Sequence, residues 1–244
     1  MYPASISYSP TSEQLAQIES WLITEQVEHN EGFYCNWEEI SNAFQENLMA
    51  VISKNGRAIG FAIWRFSSEQ TATLSIIEIK PAERRKGFGK VLTEALMAHL
   101  LQKGIKIIDA HCLSTISKQL LYGLGYLSYP ETKSRKEGKY LYKILIPYLE
   151  QSHSETATVE LWDNEPNYTD TLPPKWRWET YLLNKKGDLI LPIIHPCSAD
   201  WRIRYSVDGS TIKDSKVKNF ITDEIYFAEY MVLKNLPIAQ TKVK

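Results

Sequence analysis

A run rich in β-branched residues, Thr71 to Lys80, stops at Pro81, and a helix-forming segment follows with Gly87 and Gly89 inside its first turn. This juxtaposition constrains the fold more than any other feature of the chain. Proline removes a ladder donor and ends the strand. The start of a helix leaves several backbone N–H groups without intrahelical partners and carries a partial positive charge, so it can hold an anion. Gly87 and Gly89 lack Cβ atoms, which lets a diphosphate approach the main chain, while Arg84, Arg85, Lys86 and Lys90 supply cations around it. The alternative is a strand-to-helix turn whose cations are merely solvated. The spacing lacks the GK[ST] end of a P-loop and the three glycines of a dinucleotide fingerprint.

The elements around this loop follow from periodicity. Thr11 and Gln14 have the spacing of a capping box, and Leu15, Ile18, Trp21 and Leu22 recur on a helical period until Asn30 and Gly32. Asn36 with Glu39 repeats the capping logic ahead of Ile40, Ala43 and Phe44, a second, shorter helix. Leu48 to Ser53 and Ala58 to Phe66 flank Asn55-Gly56, a two-residue hairpin turn. Phe88 to Lys103 carries Val91, Leu92, Ala95, Leu96 and Leu100 on one face and ends at Gly104. Ile105 to Leu113 reads as a strand, Thr115 to Leu124 as a short helix and Tyr140 to Ile146 as a strand.

A polar run, Gln151 to Thr158, then a proline-rich stretch reaching Pro174 mark a domain boundary, giving residues 1–150 and 151–244. Beyond it, Trp178 to Leu183, Leu189 to Ile194 and Trp201 to Val207 read as strands, with Lys186-Gly187 and Asp208-Gly209 as turns. Thr222 to Leu233 fits helix or strand. The expected architecture is α/β (α+β): a mixed, mostly antiparallel sheet flanked by helices, plus a smaller β-rich C-terminal domain. The tryptophans and tyrosines of that second part are expected to form its core, the other reading being a ligand groove.

Lys plus Arg number 16 in residues 1–150 against 16 acidic residues, and 12 against 13 in the remainder. That balance gives no footprint for nucleic acid or an anionic membrane. No basic start precedes an apolar stretch and no run has the length of a spanning helix, so the chain reads as cytoplasmic. Cys35, Cys112 and Cys197 are widely spaced, without a CxxC or Cys/His cluster. They are expected to be ordinary buried thiols, and no metal site is suggested.

The segment from Ile79 to Gly89 resembles motif A of the GNAT superfamily of acetyl-coenzyme A dependent N-acetyltransferases, V-x-P-x-x-[RQ]-x-x-G-x-[GA], with Ile79, Pro81, Arg84, Gly87 and Gly89 in the specified places. Leu120 to Tyr126 is similar to the "lYeklGF" segment near the family's last helix, and the order of elements also agrees. The resemblance covers about residues 1–150. It implies that the main chain of Ile77 and Ile79 pairs with the pantetheine arm of acetyl-CoA in a slot between two splayed strands. It also implies that the amides of Arg85, Lys86, Gly87, Phe88, Gly89 and Lys90 take the pyrophosphate. Tyr122 stands where many members place a tyrosine that protonates the departing thiolate, for which a phenol is an acid of suitable strength. Packing of a helix against a sheet is its other reading. Thr115 stands where many members have an asparagine that touches the cofactor arm, and Ser114 or Ser117 offers a substitute contact.

A direct attack in a ternary complex needs a neutral amine, hence a base or a water chain. Where some family members carry a glutamate base, this chain has Thr73 and Ser75. Glu78 is near, but points to the opposite face from Ser75 and Ile79 unless a bulge intervenes. Histidine is the residue type best suited to base work near neutral pH, and His111 has Asp109 two residues earlier on the same strand, placed to orient it; the alternative is a strand-end histidine without a role. The resemblance implies acetyl transfer from acetyl-CoA to a small-molecule or peptide primary amine; the C-terminal part, which resembles no known family, is expected to shape access or to mediate a homodimer. The competing reading is a non-catalytic acyl-CoA-binding sensor acting through that C-terminal part.

Overall fold

The computed structural model describes residues 4–30, 32–112, 114–130, 139–150, 157–169, 171–180, 187–220 and 230–236. They fall into two units, Met1–Ile146 and Pro147–Lys244.

In the first unit, β1 (Ser5–Ser7) precedes α1 (Ser12–His29) and α2 (Trp37–Gln45), followed by β2 (Met49–Lys54), β3 (Arg57–Phe66) and β4 (Thr71–Ile79). Then come α3 (Phe88–Gln102), β5 (Ile107–His111), α4 (Thr115–Gly123), β6 (Leu127–Ser128) and β7 (Tyr140–Ile144). The α1 capping box forms as its sequence requires, with the Thr11 side chain accepting from the Gln14 N–H and the Gln14 side chain from the Thr11 N–H. The Asn36 cap does not form: a 3₁₀ turn, Tyr34–Asn36, leads directly into α2, and the Asn36 side chain accepts from the Cys35 thiol. Cys35 is exposed, unlike the buried Cys112 and Cys197, so the expectation of three buried thiols fails there.

Seven strands form one sheet in the order β1-β2-β3-β4-β5-β7-β6. Asn55 and Gly56 both take positive φ in the β2–β3 turn, as that hairpin demands. The parallel pair, β4 with β5, needs a crossover, and α3 supplies it. One sheet face packs on α3, where Leu74 and Ile79 meet Leu92, Leu96 and Leu100. The other face packs Phe61, Ile63 and Ile76 against Ile18 and Leu22 of α1 and Ile40 of α2.

Leu74 and Ile76 belong to opposite faces although they are two residues apart. The reason is a bulge: β3 pairs with β4 as Ile63↔Ile76 and then Trp64↔Leu74, leaving Ser75 without a register partner. At the same place β5 departs, because its pairing with β4 runs from Thr71↔Ile107 to Leu74↔Ala110 and stops. Residues 75–79 of β4 therefore continue with β3 on one side and no β5 partner on the other. A wedge opens in the middle of the sheet.

Gly60 of β3 lies opposite Ile79. A Cβ there would sit 2.3 Å from Ile79 Cδ1 and 2.8 Å from the Glu78 carbonyl oxygen. Because one of these neighbours is backbone, Gly60→Ala is expected to cost about 1–3 kcal/mol, the usual range for overpacking, measurable as a lower urea midpoint. An unchanged midpoint would contradict this close approach.

The second unit contains β8 (Ala157–Leu161), β9 (Trp176–Thr180), β10 (Asp188–Pro196), β11 (Arg202–Val207), β12 (Ser210–Lys216), the short α5 (Val217–Phe220) and β13 (Tyr230–Asn235). One sheet has the order β12-β11-β8-β9, and β10 pairs with β13. Its core includes Val159, Leu161, Trp178, Ile193, Trp201, Ile203 and Tyr205. Trp178, Trp201 and Tyr205 thus pack inward as the core reading expects, whereas Tyr168 is 70% exposed, and Tyr181 and Tyr226 lie outside the described residues. Two strands correct the sequence reading: β8 lies inside the stretch read as a polar connection, and β12 completes the Asp208-Gly209 hairpin. Of the ambiguous Thr222 to Leu233, residues 222–229 lie outside the described ones, and the remainder is strand.

Arg202, 7% exposed, donates from Nε and Nη2 to the two oxygens of Asp214 at 2.8 and 2.7 Å, and from Nη1 to Thr169 Oγ1. These hydrogen bonds from Arg202, with a smaller contribution from Arg204, hold the Asp214 carboxyl below the usual aspartate range against the opposing effect of burial. A depressed folded-state pKa contributes stability that is present above the ordinary aspartate value of about 3.9 and is lost as pH falls through the folded value. Urea midpoints measured from pH 6 to pH 3 should fall more steeply for the natural chain than for Asp214→Asn; parallel curves would refute the linkage.

Candidate active site

The last residues of β4 aim their main chain into the wedge. Lys80 N–H donates to Ile59 O, which makes Gly60 and Ile79 a non-hydrogen-bonded pair and turns the N–H and C=O of Ile79 away from β3. By the same alternation the groups of Ile77 point to that side, where β5 offers no partner. Those of Ile79 are engaged: its N–H donates to Glu78 Oε1 at 3.0 Å and its C=O accepts from Arg84 Nε at 2.9 Å.

Beyond β4 the chain makes a 3₁₀ turn, Pro81–Glu83, and passes through left-handed conformations at Arg85 (φ 61°) and Gly87 (φ 85°) before α3 begins. Gly87 caps the helix without a side-chain hydrogen bond. Val91 N–H donates to Gly87 O at 3.1 Å, and among the described residues none accepts from the N–H groups of Gly87, Phe88, Gly89 or Lys90. These are the donors that a helix start leaves over. A Cβ on Gly89 would lie 3.6 Å from Leu120 Cδ2 and 3.7 Å from Ile79 Cγ1, so the start of α3, the end of β4 and α4 converge there.

The cations around the loop are not equivalent. The Arg84 guanidinium is turned onto two carboxylates, Glu25 Oε1 at 2.5 Å and Glu78 Oε1 at 2.9 Å. Lys86 Nζ donates to Ala82 O and Glu83 Oε2, which Lys54 also approaches. Lys90 pairs loosely with Glu94 at 3.9 Å. Arg85 has no carboxylate partner among the described residues. The Phe88 ring packs on the α3-side core beneath Lys54 Nζ.

Burial pushes the Glu78 carboxyl above the ordinary glutamate range, and the Arg84 charge opposes that shift. The bulge at Ser75 leaves Glu78 on the α1 side of the sheet, with Ile76. His111, exposed at the end of β5, stacks on Tyr140 of β7 with centroids 4.5 Å apart. In α4 the cap is Ser114, whose Oγ accepts from Ser117 N–H, and Thr115 is the first helical residue rather than the cap. Tyr122 is 44% exposed in the last turn of α4, its hydroxyl 2.7 Å from Ser128 Oγ. Tyr126 is fully buried and its hydroxyl has no partner among the described residues; burial, with the Asp109 charge, drives its pKa upward. Among the described residues no group of three or more His, Cys, Asp or Glu side chains is placed to hold a metal ion. None of their helices is long and apolar enough to cross a membrane.

Sequence reasoning missed Glu25. Its signal was present, because Glu25 follows Ile18 and Leu22 on the buried stripe of α1, where an acid requires a partner.

Residues 13–126 match the model of the acetyltransferase (GNAT) family. Curated proteins give no match. Among solved structures, the ribosomal-protein-S18-alanine N-acetyltransferase from Escherichia coli is 22% identical, with TM-score 0.47, over 62% of this chain and 100% of that one. The PaiA N-acetyltransferase from Thermoplasma acidophilum in complex with coenzyme A is 20% identical, with TM-score 0.46, over 58% and 99%. Ard1 from Thermoplasma volcanium is 13% identical, with TM-score 0.47, over 59% and 99%.

Proposed function

We propose that the N-terminal unit transfers an acetyl group from acetyl-CoA to a primary amine by direct attack in a ternary complex. The observation that carries this reading is the run of four N–H groups, Gly87 to Lys90, without an acceptor among the described residues and beside the wedge left by β5. Those donors and the Arg85 side chain hold the diphosphate. The main-chain groups of Ile77 hold the pantetheine arm like an added strand, and Thr115 lies at the start of the helix that borders the loop. Tyr122 donates its proton to the departing thiolate. Glu78 and His111 stay as the two candidates for the base, one held by Arg84 and the other stacked on Tyr140.

Thiol release from acetyl-CoA, measured with the full chain against a panel of small and peptide amines, tests the reading. Amine-dependent release with at least one acceptor is expected. Coenzyme A binding with no turnover on any acceptor favours the sensor, a reading that the engagement of both candidate bases supports.

A further inference from the structure

Arg84 fills the arginine place of the glycine-loop pattern, yet its charge is engaged by the protein's own carboxylates. Its guanidinium ties α1 to the end of β4 through three acceptors: Glu25 on α1, and Glu78 and the carbonyl of Ile79 on β4. The carboxylate side chains are 2% and 14% exposed. Two acids sharing one guanidinium leave no net positive charge there for a phosphate, and Glu25 Oε2 has no hydrogen-bond partner among the described residues. The next residue, Arg85, holds φ 61°, a conformation that non-glycine residues keep when their surroundings impose it. The anchor immediately before it is the Arg84 cluster.

We infer that Arg84 is a positioning residue, and that Glu25, on a helix distant in sequence, sets coenzyme A affinity by fixing through Arg84 the course of the loop that presents the N–H groups. The inference rests on the function proposed above. A planar, forked guanidinium reaches all three acceptors at fixed angles, whereas a lysine ammonium is a point charge without that fork.

The inference and direct phosphate contact by Arg84 predict opposite signs for one substitution. If Arg84 touched the phosphates, removing the Glu25 charge would free it and tighten binding. If it positions the loop, Glu25→Gln loosens the anchor and weakens binding. Calorimetric titration of the full chain with coenzyme A should give a Kd about tenfold higher for Glu25→Gln, with KM for acetyl-CoA rising in step and kcat at saturation nearly retained. Arg84→Lys should show the same split, and Glu78→Gln provides the equivalent binding measurement if Glu25→Gln does not fold. A Kd that is unchanged or lower in the glutamine variants overturns the inference while leaving the proposed function intact. Failure of the natural chain to bind coenzyme A overturns both.

Discussion

Gly89→Glu is expected to fold as well as the natural chain and to lose its use of acetyl-CoA. The new Cβ would make ordinary contacts with Leu120 and Ile79, at 3.6 and 3.7 Å, so the protein itself has room for it. An acid in the first turn of α3 also complements the helix dipole, worth about 0.3–1 kcal/mol in favour of folding. The same carboxylate stands among the donors assigned to the diphosphate. A like-charge contact at about 4 Å costs about 4 kcal/mol near a protein surface, and solvent screening reduces it, so KM should rise at least about 100-fold. Thermal unfolding and saturation kinetics on the same sample check both halves. Unchanged KM with unchanged stability would place the diphosphate elsewhere; Gly89→Ala serves as the control for size without charge.

Tyr122→Phe should act on the other parameter. Its hydroxyl is exposed and meets Ser128 Oγ, so removing it leaves no buried polar group stranded. Folding is therefore expected to hold. General acid catalysis contributes typically 10²–10⁴-fold, and about 100-fold loss of kcat with little change in KM is the expected result, read by steady-state kinetics at saturating acceptor. A kcat equal to that of the natural chain would reduce the hydroxyl to its contact with Ser128.

The features legible in the sequence are those fixed by local constraints. Pro81 had to end a strand, Gly87 accommodates the left-handed conformation at the helix start, and Asn55-Gly56 had to turn a hairpin. The periodic apolar positions of α1 and α3 face their sheet as their spacing requires. What was not legible depends on a partner strand or a distant residue. The bulge at Ser75 is a one-residue slip against β3, visible in no pattern along β4 alone, yet it decides which face Glu78 occupies. The charge of Arg84 reads as one more cation until α1 brings Glu25 to it. Strand β8 alternates strictly, with Ala157, Val159 and Leu161 buried and Thr158 and Glu160 half-buried, but its polar half blends into the polar run before it. Residue type alone predicts a buried Cys35, whereas its place in the turn before α2 exposes it.

The central claim is that four main-chain donors at the start of α3 hold the nucleotide end of acetyl-CoA. Its most direct test is to follow the backbone amide resonances of isotopically labelled full chain while coenzyme A is added. The amides of Gly87, Phe88, Gly89 and Lys90 are expected to shift together, saturating with the calorimetric affinity. Saturable binding that moves other amides and leaves these four in place would contradict the claim.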